Sequence, residues 1–336
     1  MPPSAYHRAK RIGRPVPGER PLDKRRIGGL GALLAASLLA GCATADVVPG
    51  DVAINGSRVF PESITSDTAG NLYNASIAGT IYRTLAGART AEPWIVPSEA
   101  NGLTSLFGVM ADEGKGLLWA CNNPNMFTGQ QGRSSLLAFD LGTGRLSGRY
   151  DFPEGPAACN DIAVAADGAV WVSETAGGRI FVLRPNANEL ALFAAGQPLV
   201  GIDGLAFASD GALYINNVRS GAFQRVRRKA DGSYDGLTDL SVPVALGGPD
   251  GLRSLGGNRF IQGEGQSGRV ALLEVQGDSV ALTPLAEGLN GPVGVTVIGD
   301  TAYVVEGKIG YLIDPALREQ NPDPFVIRAF PMVAGW

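Results

Sequence analysis

The chain has 336 residues, of which 45% are apolar and 18% charged, with 47 glycines, 22 prolines and one histidine, His7. Residues 1–41 hold eight Lys and Arg against two Asp and Glu, whereas the other 295 hold 20 against 30, so a net of +6 precedes a net of −10. Once residues 1–41 are removed no imidazole remains, which excludes a Ser-His-Asp triad, a Cys-His dyad and a His-ligated zinc site. The acidic remainder is the opposite of a nucleic-acid footprint.

The N-terminus reads as a leader. A basic stretch ends in Lys24-Arg25-Arg26, an uncharged run spans Ile27 to Leu39, and Leu39-Ala40-Gly41-Cys42 follows. Charged, short apolar and small-residue regions in that order make a secretory signal. Thirteen small and apolar residues rise about 20 Å as a helix, too short for a ~30 Å hydrocarbon core. The twin Arg25-Arg26 lacks the Ser and Phe that flank twin-arginine signals. Leu-Ala-Gly-Cys resembles the lipobox of bacterial lipoproteins, which implies cleavage before Cys42 and lipidation of its thiol. Residue 43 is Ala rather than the Asp of inner-membrane retention, so a periplasm-facing, outer-membrane anchor is expected. Residues 42–50 become a short lipidated tether of at most about 28 Å, and residues 51–336 the folded domain.

That domain repeats. Asn160-Asp161-Ile162-Ala163-Val164 and Val170-Trp171-Val172 flank Asp167-Gly168, and Asp203-Gly204-Leu205-Ala206-Phe207 and Leu213-Tyr214-Ile215 flank Asp210-Gly211. Alternating apolar runs joined by Asp-Gly are hairpins. The template also starts at Glu62, Phe107, Asp250 and Val293, with spacings of 45, 53, 43, 47 and 43 residues in chain order. A third and a fourth apolar run follow each hairpin. Four short strands per 40–50 residues is the signature of a propeller blade, which predicts an all-β, six-bladed β-propeller. Either Phe325–Phe330 or Val52–Ile54 supplies the outer strand that closes the ring.

In a propeller, equivalent positions form a ring around the axis. The first residues of the repeats are Glu62, Phe107, Asn160, Asp203, Asp250 and Val293. Four carry side-chain oxygens, where composition alone (45 Asp, Glu and Asn in 295 residues) predicts about one. Turn capping accounts for Asp203 and Asp250 singly, but not for Glu62, which Ser63 follows. Three carboxylates converging on a channel repel one another and take up protons unless a cation compensates them. An all-oxygen set selects a hard ion, Ca²⁺ first, with Mg²⁺ or Mn²⁺ as alternatives.

These residues, chiefly Pro61-Glu62-Ser63, Asn160-Asp161 and Pro249-Asp250-Gly251, resemble the senescence marker protein, gluconolactonase and luciferin-regenerating enzyme family, across all six repeats. The resemblance implies that Glu62, Asp203 and Asp250 are metal ligands, that Asn160 is a ligand or holds a metal-bound water, and that Asp250 is the general base. It implies a small-molecule lactone or ester as substrate. Asp203 stands where the family has Asn, and Ala158 where sugar-lactone members have Arg.

Second strands return to the same mouth, so their ends (Asn122, Glu174, Asn217, Glu264, Glu306) are expected to line a polar pocket, with Asn122, Asn217 and Glu306 as the preferred substrate contacts. Pro124 to Ser135 reads as the longest insertion and a candidate lid, and Phe107 and Val293 as apolar wall. Cys121 and Cys159 fall on this side, either as a disulfide or as two buried thiols. The leading reading is a metal-dependent hydrolase of a lactone or related ester. A lipid-anchored binding propeller, with a structural Ca²⁺ or none, is the alternative from another class. A strictosidine-synthase-like condensation is a distant third. No protein partner is indicated.

Overall fold

The computed structural model describes residues 50–153 and 155–336. The leader and Cys42 lie outside the described residues. Among the described residues no helix is long and apolar enough to cross a membrane.

Four antiparallel four-stranded sheets follow one another, built from residues 105–151, 159–195, 202–239 and 249–286. A fifth, eight-stranded sheet joins two further four-stranded groups. One group holds Pro61–Ser66, Leu72–Ser76, Ile81–Thr84 and Thr90–Ile95; the other holds Pro292–Ile298, Thr301–Glu306, Val326–Pro331 and Val52–Ile54. The six first strands touch in a closed cycle, each against the next and the last against the first. This is the propeller the repeat predicts.

Both ends of the described chain contribute to closure. Val326–Pro331 is the third strand of the last blade, and Val52–Ile54 pairs antiparallel with it as the outermost strand (Val52↔Ile327, Ala53↔Val326). The same short strand pairs in parallel with the outer strand of blade one (Ala53↔Thr90, Ile54↔Ala91), fusing first and last blades into one sheet. The two candidates for closing the ring therefore occupy adjacent positions.

The blades cohere through apolar layers between sheets. Tyr73 and Ile81 of blade one pack with Leu106, Val109, Leu118, Leu137 and Phe139 of blade two, all buried. Trp119, Leu136 and Phe152 of blade two pack with Ile162, Val172 and Phe181 of blade three. Period-2 alternation on flanking strands produces these layers, because a strand in a stacked sheet offers one face to each neighbour. The Asp-Gly hairpins close as the sequence predicts, with Gly168 at φ 80° and Gly211 at φ 83°, a conformation glycine adopts without steric cost.

Every first strand carries a register shift at the start of its repeat, between Pro61 and Ser63, Leu106 and Val109, Cys159 and Ile162, Ile202 and Leu205, Pro249 and Leu252, and Pro292 and Val295. A bulge places an extra residue on one strand and re-aims its side chain. Six bulges at one level tighten the ring at the mouth and let consecutive residues, such as Asn160 and Asp161, both serve the centre.

Candidate metal centre

Glycine sets the spacing at this level. A Cβ on Gly108 would meet the Asn160 carbonyl oxygen at 2.1 Å, and one on Gly204 would meet the Asp250 carbonyl oxygen at 2.5 Å. First strands can approach this closely only because these residues have no side chain. The residues beside them are thereby drawn to the axis.

Glu62, Asn160 and Asp203 are 8%, 6% and 4% exposed, and Asp250 is half-buried. The Asn160 amide nitrogen donates to Asp203 Oδ2 at 2.8 Å and to Thr175 Oγ1 at 2.7 Å. Asp203 Oδ1 is buried without a hydrogen-bond partner. Asp250 Oδ1 accepts the Gly251 N–H at 2.8 Å.

The acids feel one another. Burial pushes Glu62 well above the usual carboxyl range, and the charges of Asp250, Asp203 and Asp161 push it further, against the pull of Arg253. Burial likewise raises Asp203 well up, with Asp250 and Asp161 adding to it and the Asn160 hydrogen bond opposing. Asp250 is pushed up to about 7, by burial first and by Asp161, while the Gly251 N–H and Arg253 oppose. Desolvation and like charge both disfavour the ionised carboxylate.

Two residues of this cluster escape the repeat logic. Arg253, from the first strand of blade five, reaches across the axis. Its Nη1 donates to Asp161 Oδ1 and Oδ2 at 2.9 and 2.8 Å and to Leu252 O at 2.9 Å. Its Nη2 reaches Ser63 Oγ and Val109 O, both at 3.3 Å. One guanidinium thus ties together blades one, two, three and five. Below it lies a cavity of about 350 Å³ lined by Thr65, Met110, Ala163, Ala206 and Thr296. Arg253 is the floor between that cavity and the acids. The signal was present in the sequence, since Arg253 is the only basic residue on any first strand.

The donor set fits a hard divalent cation. It is all oxygen, it includes an orphaned buried carboxylate oxygen on Asp203, and its acids sit at pKa values raised first by burial and then by neighbouring carboxylates. Among the described residues no group of three or more His, Cys, Asp and Glu is drawn in to ligating distance. The carboxylates share a neighbourhood but not a common contact.

The second-strand ends correct the sequence reading. Asn122 Oδ1 accepts the Thr104 N–H at 2.9 Å, and its Nδ2 donates to Gly102 O. Asn217 Oδ1 accepts the Arg219 and Ser220 N–H groups, and its Nδ2 donates to Val200 O. Glu306 accepts the Asn290 N–H at 2.6 Å and lies 3.8 Å from Arg328. Glu174 and Glu264 likewise accept loop N–H groups and pair with Arg179 and Arg269. The recurrence of polar ends is architectural: each clamps backbone that would otherwise be unsatisfied at the mouth. Asn122 and Asn217 are 2% exposed, with both ends of each amide engaged, and are not offered to a substrate.

Cys121 and Cys159 form a disulfide, Cα atoms 5.1 Å apart, linking blade two to the residue before Asn160. Asn123 brackets the same residue, donating to Cys159 O and accepting its N–H. The insertion 124–134 is present, but 307–325 in the last blade is longer. The sequence reading missed it because no following repeat exists to measure it against. Phe127 of the first insertion and Tyr311 and Leu312 of the second pack on one apolar cluster with Phe60, Ile77, Phe107 and Val293.

No protein-family model matches the chain, and no curated protein matches it. Solved structures do. A gluconolactonase from Xanthomonas campestris is 16% identical, with TM-score 0.61 over 82% of this chain and 87% of that one. A calcium-binding regucalcin from Agrobacterium tumefaciens is 16% identical, with TM-score 0.57 over 84% and 97%. A virginiamycin B lyase from Staphylococcus aureus is 15% identical, with TM-score 0.57 over 83% and 82%. The chain has the fold that the gluconolactonase, the regucalcin and the lyase share. At this identity the likeness carries fold alone, and chemistry has to come from the centre.

Proposed function

We propose that this protein is a divalent-cation-dependent hydrolase of a lactone or related ester. The observation that carries the reading is the incompletely compensated acid cluster: three buried or half-buried carboxylates with raised pKa values and one orphaned oxygen at the mouth of the channel. Glu62, Asp203, Asp250 and the Asn160 side-chain oxygen would hold the ion, Ca²⁺ before Mg²⁺ or Mn²⁺. A bound cation there supplies Lewis acidity for a carbonyl and its developing negative charge. Asp250 is the most exposed acid of the ring. It is best placed to orient a water and take its proton as the ester carbonyl is attacked. Thr175 and Asp203 hold the Asn160 amide through its nitrogen, so the amide would turn over to offer its oxygen to an ion shared with Asp203. Arg253 seals the floor, so water and substrate reach the acids from the mouth side. The likeness to a gluconolactonase and a calcium-binding regucalcin supports this reading.

The buried disulfide supports export to an oxidising compartment. With the lipobox-like Leu39-Ala40-Gly41-Cys42 it supports our proposal of a periplasm-facing protein tethered to the membrane at Cys42. Labelling with a radioactive fatty acid, lost in Cys42→Ala, tests the anchor.

The second reading is a binding propeller, with a structural Ca²⁺ or none, because a fold of this kind does not by itself entail catalysis. The deciding experiment is lactone hydrolysis before and after chelator dialysis, with Asp250→Ala in parallel. The hydrolase reading expects loss with chelator, recovery with Ca²⁺, and a 10²–10⁴-fold drop in the variant. Ca²⁺ binding without turnover leaves the binding propeller.

A further inference from the structure

We infer that the groove between the two mouth insertions binds the apolar arm of an anionic substrate. This names the substrate class of the hydrolase proposed above and rests on that reading. The groove encloses about 310 Å³ over blade one, within the range of small-ligand sites. Its floor is Phe60 and Ile77, both buried, and its walls are Phe127 from one insertion and Tyr311 and Leu312 from the other. The same apolar cluster includes Phe107 and Val293, the ring residues that flank Glu62 on either side. Phe107 and Val293 thus pack on the cluster that floors the groove and stand on the blades next to Glu62.

Two guanidinium groups complete the lining. Arg58 stacks over the Phe60 ring at 5.2 Å and donates to Gln320 O, and Arg318 lies on the opposite insertion. Among the described residues neither forms an ion pair. Two cations outside any ion pair beside an apolar slot, in a stretch (residues 42–336) whose net charge is −10, select an anion that also carries a hydrophobic body.

The backbone is held to make this shape. Among the described residues four non-glycine residues have positive φ, and three of them are Arg58 (49°), Phe60 (46°) and Lys308 (48°). That conformation costs an ordinary residue and clusters where function over-determines it. Asp323 fixes the first of these segments, accepting Ser57 Oγ at 2.6 Å and the Arg58 N–H at 2.8 Å. Lys308 Nζ pins the second insertion by donating to Pro322 O and Pro324 O, both at 2.8 Å.

The test is calorimetric titration of the full folded chain with decanoate, in excess chelator, with butanoate and decyltrimethylammonium as probes of chain length and charge. The expected result is saturable decanoate binding at least tenfold tighter than either control. Tyr311→Ser should weaken it about tenfold. Arg318→Glu, an exposed position where the fold is not at issue, should weaken decanoate and strengthen the cation. Equal binding of all three probes, indifference to Arg318→Glu, or loss of decanoate binding on chelation would overturn the inference. Decanoate binding in a protein that hydrolyses nothing would keep the groove and overturn the hydrolase.

Discussion

Arg253 and Asp161 meet across the propeller axis, the guanidinium of blade five bridging both carboxylate oxygens of blade three at 2.8 and 2.9 Å. Asp161 is 3% exposed and Arg253 8%. The pair places one fixed positive charge beneath Glu62, Asp203 and Asp250, and its cation lowers the pKa values of Glu62 and Asp250. It is both a mechanical tie and a partial counter-charge.

Breaking a buried pair leaves one charge stranded, at a cost of about 3–5 kcal/mol. Arg253→Met should therefore lower stability by that amount in a denaturant titration. The double variant Arg253→Met with Asp161→Asn should recover most of the loss, because nothing is then stranded. Equal stability of the single and double variants would show that Arg253 contributes only packing.

The acid ring sets the pH dependence of the metal-free protein. Glu62, Asp203 and Asp250 all titrate higher in the folded than in the unfolded chain. Below a pH of about 4 all are protonated in both states and impose no penalty. As pH rises, the unfolded chain releases protons that the folded one retains, so stability falls, for Asp250 until its folded value of about 7 is passed. Each unmatched proton costs about 1.4 kcal/mol per pH unit. Melting in chelator should be lower at pH 8 than at pH 5.5, and saturating Ca²⁺ should remove most of the difference by binding the ionised form. A pH-independent melting temperature in chelator would mean that the three acids do not crowd as described.

How much of this was legible in the sequence depends on whether a residue acts through the repeat or against it. Alternation leaves Phe325–Phe330 and Val52–Ile54 as alternatives for one outer strand, where the structure uses both side by side; the phase of the blades and the inner ring positions Glu62, Asn160, Asp203 and Asp250 follow from alternation and Asp-Gly turns. The six bulges do not, since a one-residue irregularity leaves an apolar pattern almost unchanged. Asn122 and Asn217 misled because repetition at one level has two causes, a shared ligand or a shared backbone need, and spacing cannot separate them. Arg253 breaks the pattern and was overlooked for that reason. Its partner Asp161 was visible only as the second half of Asn160-Asp161.

Asp203 offers a prediction with opposite signs. Its Oδ1 is buried and unpartnered, and its charge adds to the burden on Glu62. Asp203→Asn removes that charge while keeping the shape. The metal-free protein should become more stable at pH 8, by about 1 kcal/mol or more, since burial and neighbouring acids disfavour the carboxylate while an amide of the same shape never ionises. Ca²⁺ affinity, read by calorimetry, should fall at least tenfold, because a neutral amide oxygen replaces a carboxylate. A variant that gains stability and keeps its affinity would remove Asp203 from the ligand set.

The Cys121–Cys159 disulfide closes a loop of 38 residues and ends one residue before Asn160. On the chain-entropy account such a loop contributes about 4 kcal/mol, by restricting the unfolded chain. Cys121→Ser with Cys159→Ser should lower stability by up to that amount. The Asn123 side-chain amide still brackets the backbone of residue 159 through two hydrogen bonds, at 2.8 and 2.9 Å, so the local position of Asn160 should survive. Ca²⁺ affinity of the folded double variant should then stay within about threefold of the parent. Adding Asn123→Ala removes the second restraint, and affinity should fall tenfold or more while the fold, followed by circular dichroism, persists. An unchanged affinity in the triple variant would mean that the glycine-mediated approach of Gly108 to the Asn160 carbonyl holds the ligand in place without either support.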